Sequence, residues 1–160
     1  MILSTHAIVG GAVASLFPSH PIVAIAAGFG SHFLIDAIPH WDYPLRTISL
    51  GAGARNRLTF RGSRLRDLAV IAFDGCAGLV LAVVLFSTPS TILTVLLGAS
   101  AAMLPDPLQF AYTLYPHEPL KSLQRFHGWM HTKHQIGTRI GVSSQIAFVA
   151  AVIGIRAILP

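Results

Sequence analysis

Charged side chains are scarce in this chain, which has 160 residues but only 11 lysines and arginines and six aspartates and glutamates. Charged residues make up 11% of the sequence, whereas they make up about 25% of a typical soluble domain. A soluble domain of this composition would have too little polar surface to cover itself. Because hydrophobic residues make up 53%, a surface that faces lipid explains the deficit, and a very apolar soluble oligomer is the alternative.

The chain also has only one cysteine and no basic region at its N-terminus. The single cysteine, Cys76, excludes an intramolecular disulfide, and its place in an apolar run is typical of a packing residue. The opening residues Met1–His6 contain no lysine or arginine, so they do not have the basic region of a signal peptide. We therefore predict that they begin a first membrane helix.

Five apolar segments predict an all-α integral membrane bundle that forms one domain over residues 1–160. Proline-containing turns separate the first segment from the second and the third from the fourth. Several segments are shorter than the ~20 residues that span a bilayer, so the first can be shallow or partly interfacial. The segments run from about Ile2 to Phe17, Ile22 to Ile38, Leu68 to Phe86, Thr91 to Leu104 and Ile140 to Leu159.

The basic residues concentrate in two long loops, at about residues 39–67 and 105–139. Six of the 11 lie between Arg46 and Arg66, and four more lie between Lys121 and Arg139. Because the turns between the paired segments are short, both loops fall on one side of the membrane, which the positive-inside rule makes the cytoplasm. We expect a multi-pass protein of the inner (plasma) membrane, with its basic loops near anionic lipid rather than nucleic acid.

Ionisable residues gather at the cytoplasmic ends of the predicted helices. His6, His32, Asp36, Asp74 and Asp106 each lie 12–16 residues from the nearest outer turn. At 1.5 Å per residue this places all of them roughly 18–24 Å from the outer turns, in one layer. Ionisable groups in membrane segments are costly and are by default candidates for a functional site.

Histidine and aspartate in this layer predict a metal site. His32 and Asp36 share a helix face at i, i+4 and suit Zn²⁺ or Mn²⁺, although a buried hydrogen-bonded His–Asp pair is the alternative. His127 and His131 also share a face if their segment is helical, which is a common zinc-binding spacing. The predicted metal ligands are His6, His32, Asp36, Asp106, His127 and His131.

Two further aspartates are candidates for catalysis. Asp74 lies in an apolar run without a cation nearby in sequence, so it needs a partner, and Asp42 follows His40 just past the second segment. Either aspartate is predicted to act as general base or to orient a ligand histidine. Trp41 and Tyr43 are predicted to be interfacial anchors.

With these residues in view, the chain resembles the membrane-bound metal-dependent hydrolases, inner-membrane proteins distantly akin to zinc-dependent phospholipase C. The resemblance implies hydrolysis of a phosphoester or lipid-like substrate with one or two divalent ions, zinc first and manganese or magnesium as alternatives. The motifs that carry it are Thr5-His6 followed by Gly10, Gly30-Ser31-His32 through Asp36, Leu104-Pro105-Asp106, and His127-Gly128-Trp129-Met130-His131-Thr132.

One departure from the family pattern supports an alternative function. Leu108 stands where the family has a second aspartate after Pro-Asp, which favours a non-catalytic, metal-stabilised membrane scaffold or binding protein. A metal or proton transporter would need polar residues across the whole membrane, but the outer halves of the predicted helices are almost wholly apolar. Membrane lipid is the expected partner in either case, and the sequence makes no prediction of oligomeric state.

Overall fold

The computed structural model describes residues 1–44, 63–134 and 136–159. Within these ranges the chain forms seven α-helices and no β-strand, which confirms the prediction of an all-α protein. Most of the first predicted loop lies outside the described residues. The helices are α1 (Leu3–Ala14), α2 (Pro21–Asp36), α3 (Ser63–Phe86), α4 (Ile92–Met103), α5 (Pro105–Leu114), α6 (Leu120–Met130) and α7 (Thr138–Ile158).

The first helix, α1, is the central element of the bundle. Ten of its 12 residues are buried, and it packs against α2, α3, α4 and α7. At 1.5 Å per residue it is only about 18 Å long. These four helices enclose it, which explains why so short a helix is apolar on every side.

Two helices among the described residues are long and apolar enough to cross a membrane, over Leu65–Phe86 and Thr138–Ile158. The pair α4 and α5, bent by 44°, gives a third candidate if it counts as one span. Both long helices leave large apolar side chains exposed, such as Phe73 at 78% and Ile158 at 81%. The prediction of five membrane segments is therefore met in part, since α1 and α2 are shorter apolar helices.

Helices α2 and α4 approach each other closely at Gly28 and Gly98. A Cβ atom on Gly28 would lie 2.3 Å from the carbonyl oxygen of Gly98, and one on Gly98 would lie 3.1 Å from the carbonyl oxygen of Ala24 in α2. Small residues are what permits such close backbone contact between apolar helices. One turn beyond this contact, His32 of α2 and Ala102 of α4 face each other.

The two ends of the bundle differ in chemistry. At one end, α1 finishes beside the start of α4 and the end of α7. Thr94 Oγ1 of α4 donates to the carbonyl of Pro18, which follows α1, at 3.2 Å, and Arg156 Nε of α7 donates to Ser15 Oγ at the end of α1 at 2.6 Å. The first turn of α1 and the last turn of α2 lie at the opposite end, where the histidines and aspartates are found.

The second predicted loop contains two helices. The fourth apolar segment is predicted to end at about Leu104, and α4 does end at Met103. A new helix, α5, begins at once with Pro105. Proline suits this position because the first turn of a helix does not need its N–H group.

Candidate metal centre

Four of the six predicted metal ligands, with Asp36 among them, form one close group. The ligand atoms of His32, Asp36, Asp106 and His127 all lie within 4.8 Å of one another. His32 Nε2 lies 3.3 Å from Asp36 Oδ2 and 3.3 Å from His127 Nε2, and His127 Nε2 lies 3.2 Å from the same oxygen. Tetrahedral Zn²⁺ with bonds of about 2.0–2.1 Å holds its ligand atoms about 3.3–3.4 Å apart. These three atoms therefore already have the spacing of zinc ligands.

Three helices supply this first group. His32 and Asp36 come from the last two turns of α2, where the predicted i, i+4 spacing puts them on one face. His127 is buried on α6, and Asp106 lies in the first turn of α5. Asp106 Oδ1 is 3.7 Å from His32 Nε2, and its side chain is 26% exposed. The group is thus buried on the α2 side and partly open at Asp106.

A second group of possible metal ligands consists of Asp36, His40 and His131, again with ligand atoms within 4.8 Å of one another. His131 was expected to share a helix face with His127, but α6 ends at Met130 and His131 has extended backbone with ψ 131°. The next residue, Thr132, donates its N–H to the Asp36 carbonyl at 2.8 Å. This backbone contact, rather than helix periodicity, brings His131 to the centre.

The histidine rings are oriented as in metal sites. The Nδ1 atoms of His32, His40 and His131 lie 2.7–2.9 Å from backbone carbonyl oxygens. Since a carbonyl oxygen can only accept, each Nδ1 carries a proton, and in a neutral ring of this tautomer Nε2 is the nitrogen that can bind a metal. These Nε2 atoms face the oxygens of Asp36 at 3.3–3.8 Å. Metal-binding histidines are held in the same way, with one ring N–H donated to a carbonyl and the other nitrogen directed at the metal.

Unpartnered buried nitrogens give a separate test of whether a metal fits. Among the described residues, both ring nitrogens of His6 and the Nε2 of His40 are buried without a hydrogen-bond partner. An unpaired buried polar group costs about 1–3 kcal/mol, which a bound cation would offset. His6 Nε2 lies 3.2 Å from Asp36 Oδ1, and the His6 ring stacks on His32 at 4.1 Å. His6 falls outside both groups, while His40, absent from the predicted ligands, belongs to the second.

Asp74 contacts the first turn of α1. Its Oδ2 atom accepts the N–H of Ser4 at 2.8 Å and the hydroxyl of Tyr43, whose oxygen accepts the N–H of Leu3 at 2.8 Å. Burial and the hydrogen bond to Asp74 raise the pKa of the Tyr43 phenol above its usual range, so the phenol stays protonated. Asp74 and Tyr43 thus satisfy N–H groups that every helix leaves unpaired at its start.

Asp42, the other aspartate predicted to be catalytic, lies at the edge of the centre. Its Oδ1 atom is 3.0 Å from His40 Nε2, its Oδ2 atom is 3.8 Å from His131 Nε2, and its side chain is 31% exposed. The α-amino nitrogen of Met1 lies 3.2 Å from Asp42 Oδ1 and 2.7 Å from Asp36 Oδ1. Asp42 therefore belongs to the site, next to the second group.

Gln145 of α7 is a positioning residue that the sequence analysis missed. Its buried side chain accepts the N–H of Ile2 at 3.2 Å and the hydroxyl of Thr5 at 3.3 Å, and it donates to the carbonyl of Trp41 at 2.9 Å. It joins α7, α1 and the segment after α2 behind the histidine cluster. An amide in an otherwise apolar helix was the signal in the sequence that could have revealed it.

Comparison of the chain with protein-family models, with curated proteins and with solved structures finds no match. The resemblance to the membrane-bound metal-dependent hydrolases therefore depends on the motifs in the sequence. What the structure shows is a buried His/Asp cluster that can hold a metal ion, in a helical protein with two to three candidate membrane helices.

Proposed function

We propose that this chain is a membrane-bound metal-dependent hydrolase that acts on a phosphoester or lipid-like substrate. One observation carries the proposal: imidazole nitrogens converge on a single buried carboxylate, Asp36, which is 1% exposed. A buried carboxylate is costly unless it is paired with positive charge, and a divalent cation held by these imidazole nitrogens would supply that charge. Zinc is the first candidate, because it suits a mixed set of imidazole and carboxylate ligands, with manganese or magnesium as alternatives.

We further propose that α1, α2, α3, α4 and α7 are the five membrane segments, with the metal centre at the cytoplasmic face. The contacts of Thr94 with Pro18 and of Arg156 with Ser15 support this arrangement, because they join helix ends that would all be on the outer side. The exposed apolar faces of α3 and α7 need a lipid environment. The basic residues of the second loop would then face the cytoplasm.

Helix α6 supports a location at the membrane surface. His127 is buried on its inner side, whereas Phe126 and Trp129 are 44% and 75% exposed on its outer side. Lys121 and Arg125 are exposed on the same helix. Aromatic and basic residues on the outer side of an amphipathic helix are typical of interfacial helices. Such a helix would hold a phosphate-bearing lipid beside the metal centre.

The residues of the cluster have distinct roles in this proposal. A divalent cation would supply Lewis acidity, since it lowers the pKa of water and polarises a phosphoryl oxygen. His32, Asp36, Asp106 and His127 would hold it. The Ala102 carbonyl fixes the His32 ring through Nδ1 at 2.9 Å, so that Nε2 points into the centre.

Access and proton transfer would take place at the exposed edge of the cluster. Asp106, His131 and Asp42 are 26%, 29% and 31% exposed, whereas the other members are almost fully buried. The Asp42 carboxylate at this edge is therefore placed to accept a proton as general base. Asp74 instead holds the start of α1, from which His6 projects, and we assign it a positioning role.

The test is hydrolysis by purified protein in lipid nanodiscs, measured on phosphomonoesters, phosphodiesters and carboxyl esters. We expect activity that a chelator abolishes and that Zn²⁺, Mn²⁺ or Mg²⁺ restores. Asp36→Asn should lower kcat by at least the 10–100-fold that loss of a ligand's supporting partner costs. His20→Ala, an exposed histidine at the far end of the bundle, should have full activity. Activity that survives Asp36→Asn would indicate a contaminant and contradict the proposal.

A metal-stabilised scaffold is the second candidate, favoured by Leu108 in place of the second acidic residue and by the nearly complete burial of Asp36. It predicts tight metal binding without turnover on any substrate of the panel. Under this function Asp36→Asn would lower the melting temperature while there is no activity to lose. Turnover that depends on metal and on Asp36 would rule it out.

A further inference from the structure

The two oxygens of the Asp36 carboxylate face different imidazoles. Oδ2 lies 3.3 Å from His32 Nε2, 3.2 Å from His127 Nε2 and 3.8 Å from His131 Nε2. Oδ1 lies 3.2 Å from His6 Nε2 and 3.8 Å from His40 Nε2. A carboxylate whose oxygens each face separate nitrogen ligands is suited to bridge two cations rather than to bind one.

We propose that the centre holds two divalent cations bridged by Asp36, and that His40, His131 and Asp42 hold the second. This inference rests on the proposed function and deepens it, with Asp42 as a ligand of the second cation in place of the general-base role given above. The ligand atoms of Asp36, His40 and His131 lie within 4.8 Å of one another. Asp42 adds oxygens at 3.0 Å from His40 Nε2 and 3.8 Å from His131 Nε2. None of His40, His131 and Asp42 belongs to the first group.

His40 gives an independent reason to place a cation here. It is 1% exposed, and its Nε2 atom makes no hydrogen bond with the described residues. Its Nδ1 atom lies 2.7 Å from the Ile38 carbonyl oxygen, so Nε2 points between Asp36 and Asp42. A buried ring nitrogen held between two carboxylates is an arrangement that a bound cation would stabilise.

The α-amino group of Met1 is the competing cation at this position. It lies 2.7 Å from Asp36 Oδ1 and 3.2 Å from Asp42 Oδ1. Two carboxylates held this close together require a positive charge nearby. The amine does not satisfy His40 Nε2, however, because that atom has no hydrogen-bond partner. A second divalent ion would serve both the carboxylates and the imidazole.

A pair of cations would suit a phosphoester substrate. In phosphatases and nucleases, two-metal sites stabilise both the attacking and the leaving oxygen of an in-line displacement. The second group lies at the open edge, since His131 is 29% and Asp42 31% exposed. The arrangement therefore fits a phosphoester, with its phosphoryl group bound at this edge.

The experiment is a count of zinc per chain by elemental analysis of full-length protein. Purified protein is stripped with a chelator, reloaded with Zn²⁺ and freed of unbound metal. We expect two equivalents in the wild type and in the His20→Ala control, and one in His131→Ala and in Asp42→Asn. These two variants change partly exposed side chains, so they are less prone to misfold than a change at buried His40. Asp36→Ala should bind none.

One equivalent in the wild type, unchanged in His131→Ala and Asp42→Asn, would overturn this inference and leave the proposed function standing. No zinc in well-folded wild type would overturn both. Electron paramagnetic resonance of Mn²⁺-loaded wild type tests the bridge without any variant. A spin-coupled pair supports a shared carboxylate, and a signal from isolated Mn²⁺ alone contradicts it.

Discussion

Replacing Gly28 by alanine should damage both the bundle and the metal centre. The new Cβ would lie 2.3 Å from the Gly98 carbonyl oxygen, whereas ordinary contacts of a Cβ begin at 3.4 Å. Helices α2 and α4 would therefore have to separate by about 1.1 Å, the difference between these two distances. His32 lies one turn beyond on α2 and is fixed by Ala102 of α4, so the separation would pull its ring away from the centre.

Gly30→Ala is the matched control, because a Cβ at Gly30 in the same helix would meet nothing within 4 Å. Both variants gain up to about 1 kcal/mol of helix propensity, and this gain cancels in the comparison. Overpacking costs typically 1–3 kcal/mol, and a backbone carbonyl cannot move aside as a flexible side chain can. Gly28→Ala should thus be less stable than Gly30→Ala by about 1–3 kcal/mol, or roughly 2–12 °C in melting temperature.

The assay is thermal unfolding of both variants in detergent, followed by Zn²⁺ titration of each. We expect the affinity of Gly28→Ala for Zn²⁺ to fall about 10–100-fold, as when the partner that orients a ligand is lost. Gly30→Ala should bind like the wild type. Equal melting temperatures and equal affinities in the two variants would refute the close packing of α2 on α4 and its role in placing His32.

Three further predictions concern the residues around the centre. Tyr43→Phe should lower the free energy of unfolding by about 1–3 kcal/mol, because Asp74 and the N–H of Leu3 lose a hydrogen-bond partner. Chemical denaturation measures this change, and an unchanged free energy of unfolding would contradict the hydrogen bonds of Tyr43. Gln145→Leu should cost a similar amount for the same reason, and it should also weaken Zn²⁺ binding, since the segment that carries Asp42 loses its tie to α7. In a Trp41→Phe background, brominated lipid should quench Trp129, which is one of only two tryptophans; unquenched fluorescence would exclude an interfacial α6.

Part of the site follows from the sequence because helix geometry is local and regular. The i, i+4 spacing places His32 and Asp36 on one face of α2. Counting residues from the short turns brings Asp106 to the same level, and the structure puts it beside His32. The five apolar segments likewise agree with α1, α2, α3, α4 and α7, because their apolar runs are interrupted by prolines and polar turns.

Other contacts depend on tertiary structure that no spacing reveals. His131 reaches Asp36 only because the chain leaves the helix after Met130 and pairs with the segment beyond α2. His40 becomes a candidate ligand through the same pairing. The sequence predicts that Asp74 needs a partner, and the structure shows that its partner is the N–H of Ser4 at the start of α1. The spacing of residues along the sequence cannot identify such a contact between helices. Short helices such as α6, which are polar on one side, are also hard to recognise from the hydrophobic pattern of a chain whose other helices are apolar.

X-ray absorption at the zinc edge tests the central claim, that the cluster around Asp36 binds metal, most directly. The sample is Zn²⁺-loaded protein after free metal has been removed. We predict nitrogen and oxygen neighbours at about 2.0–2.1 Å, with the outer scattering of at least two imidazoles, and loss of this spectrum in Asp36→Ala. Zinc that washes away, or that is surrounded only by water oxygens, would contradict the account.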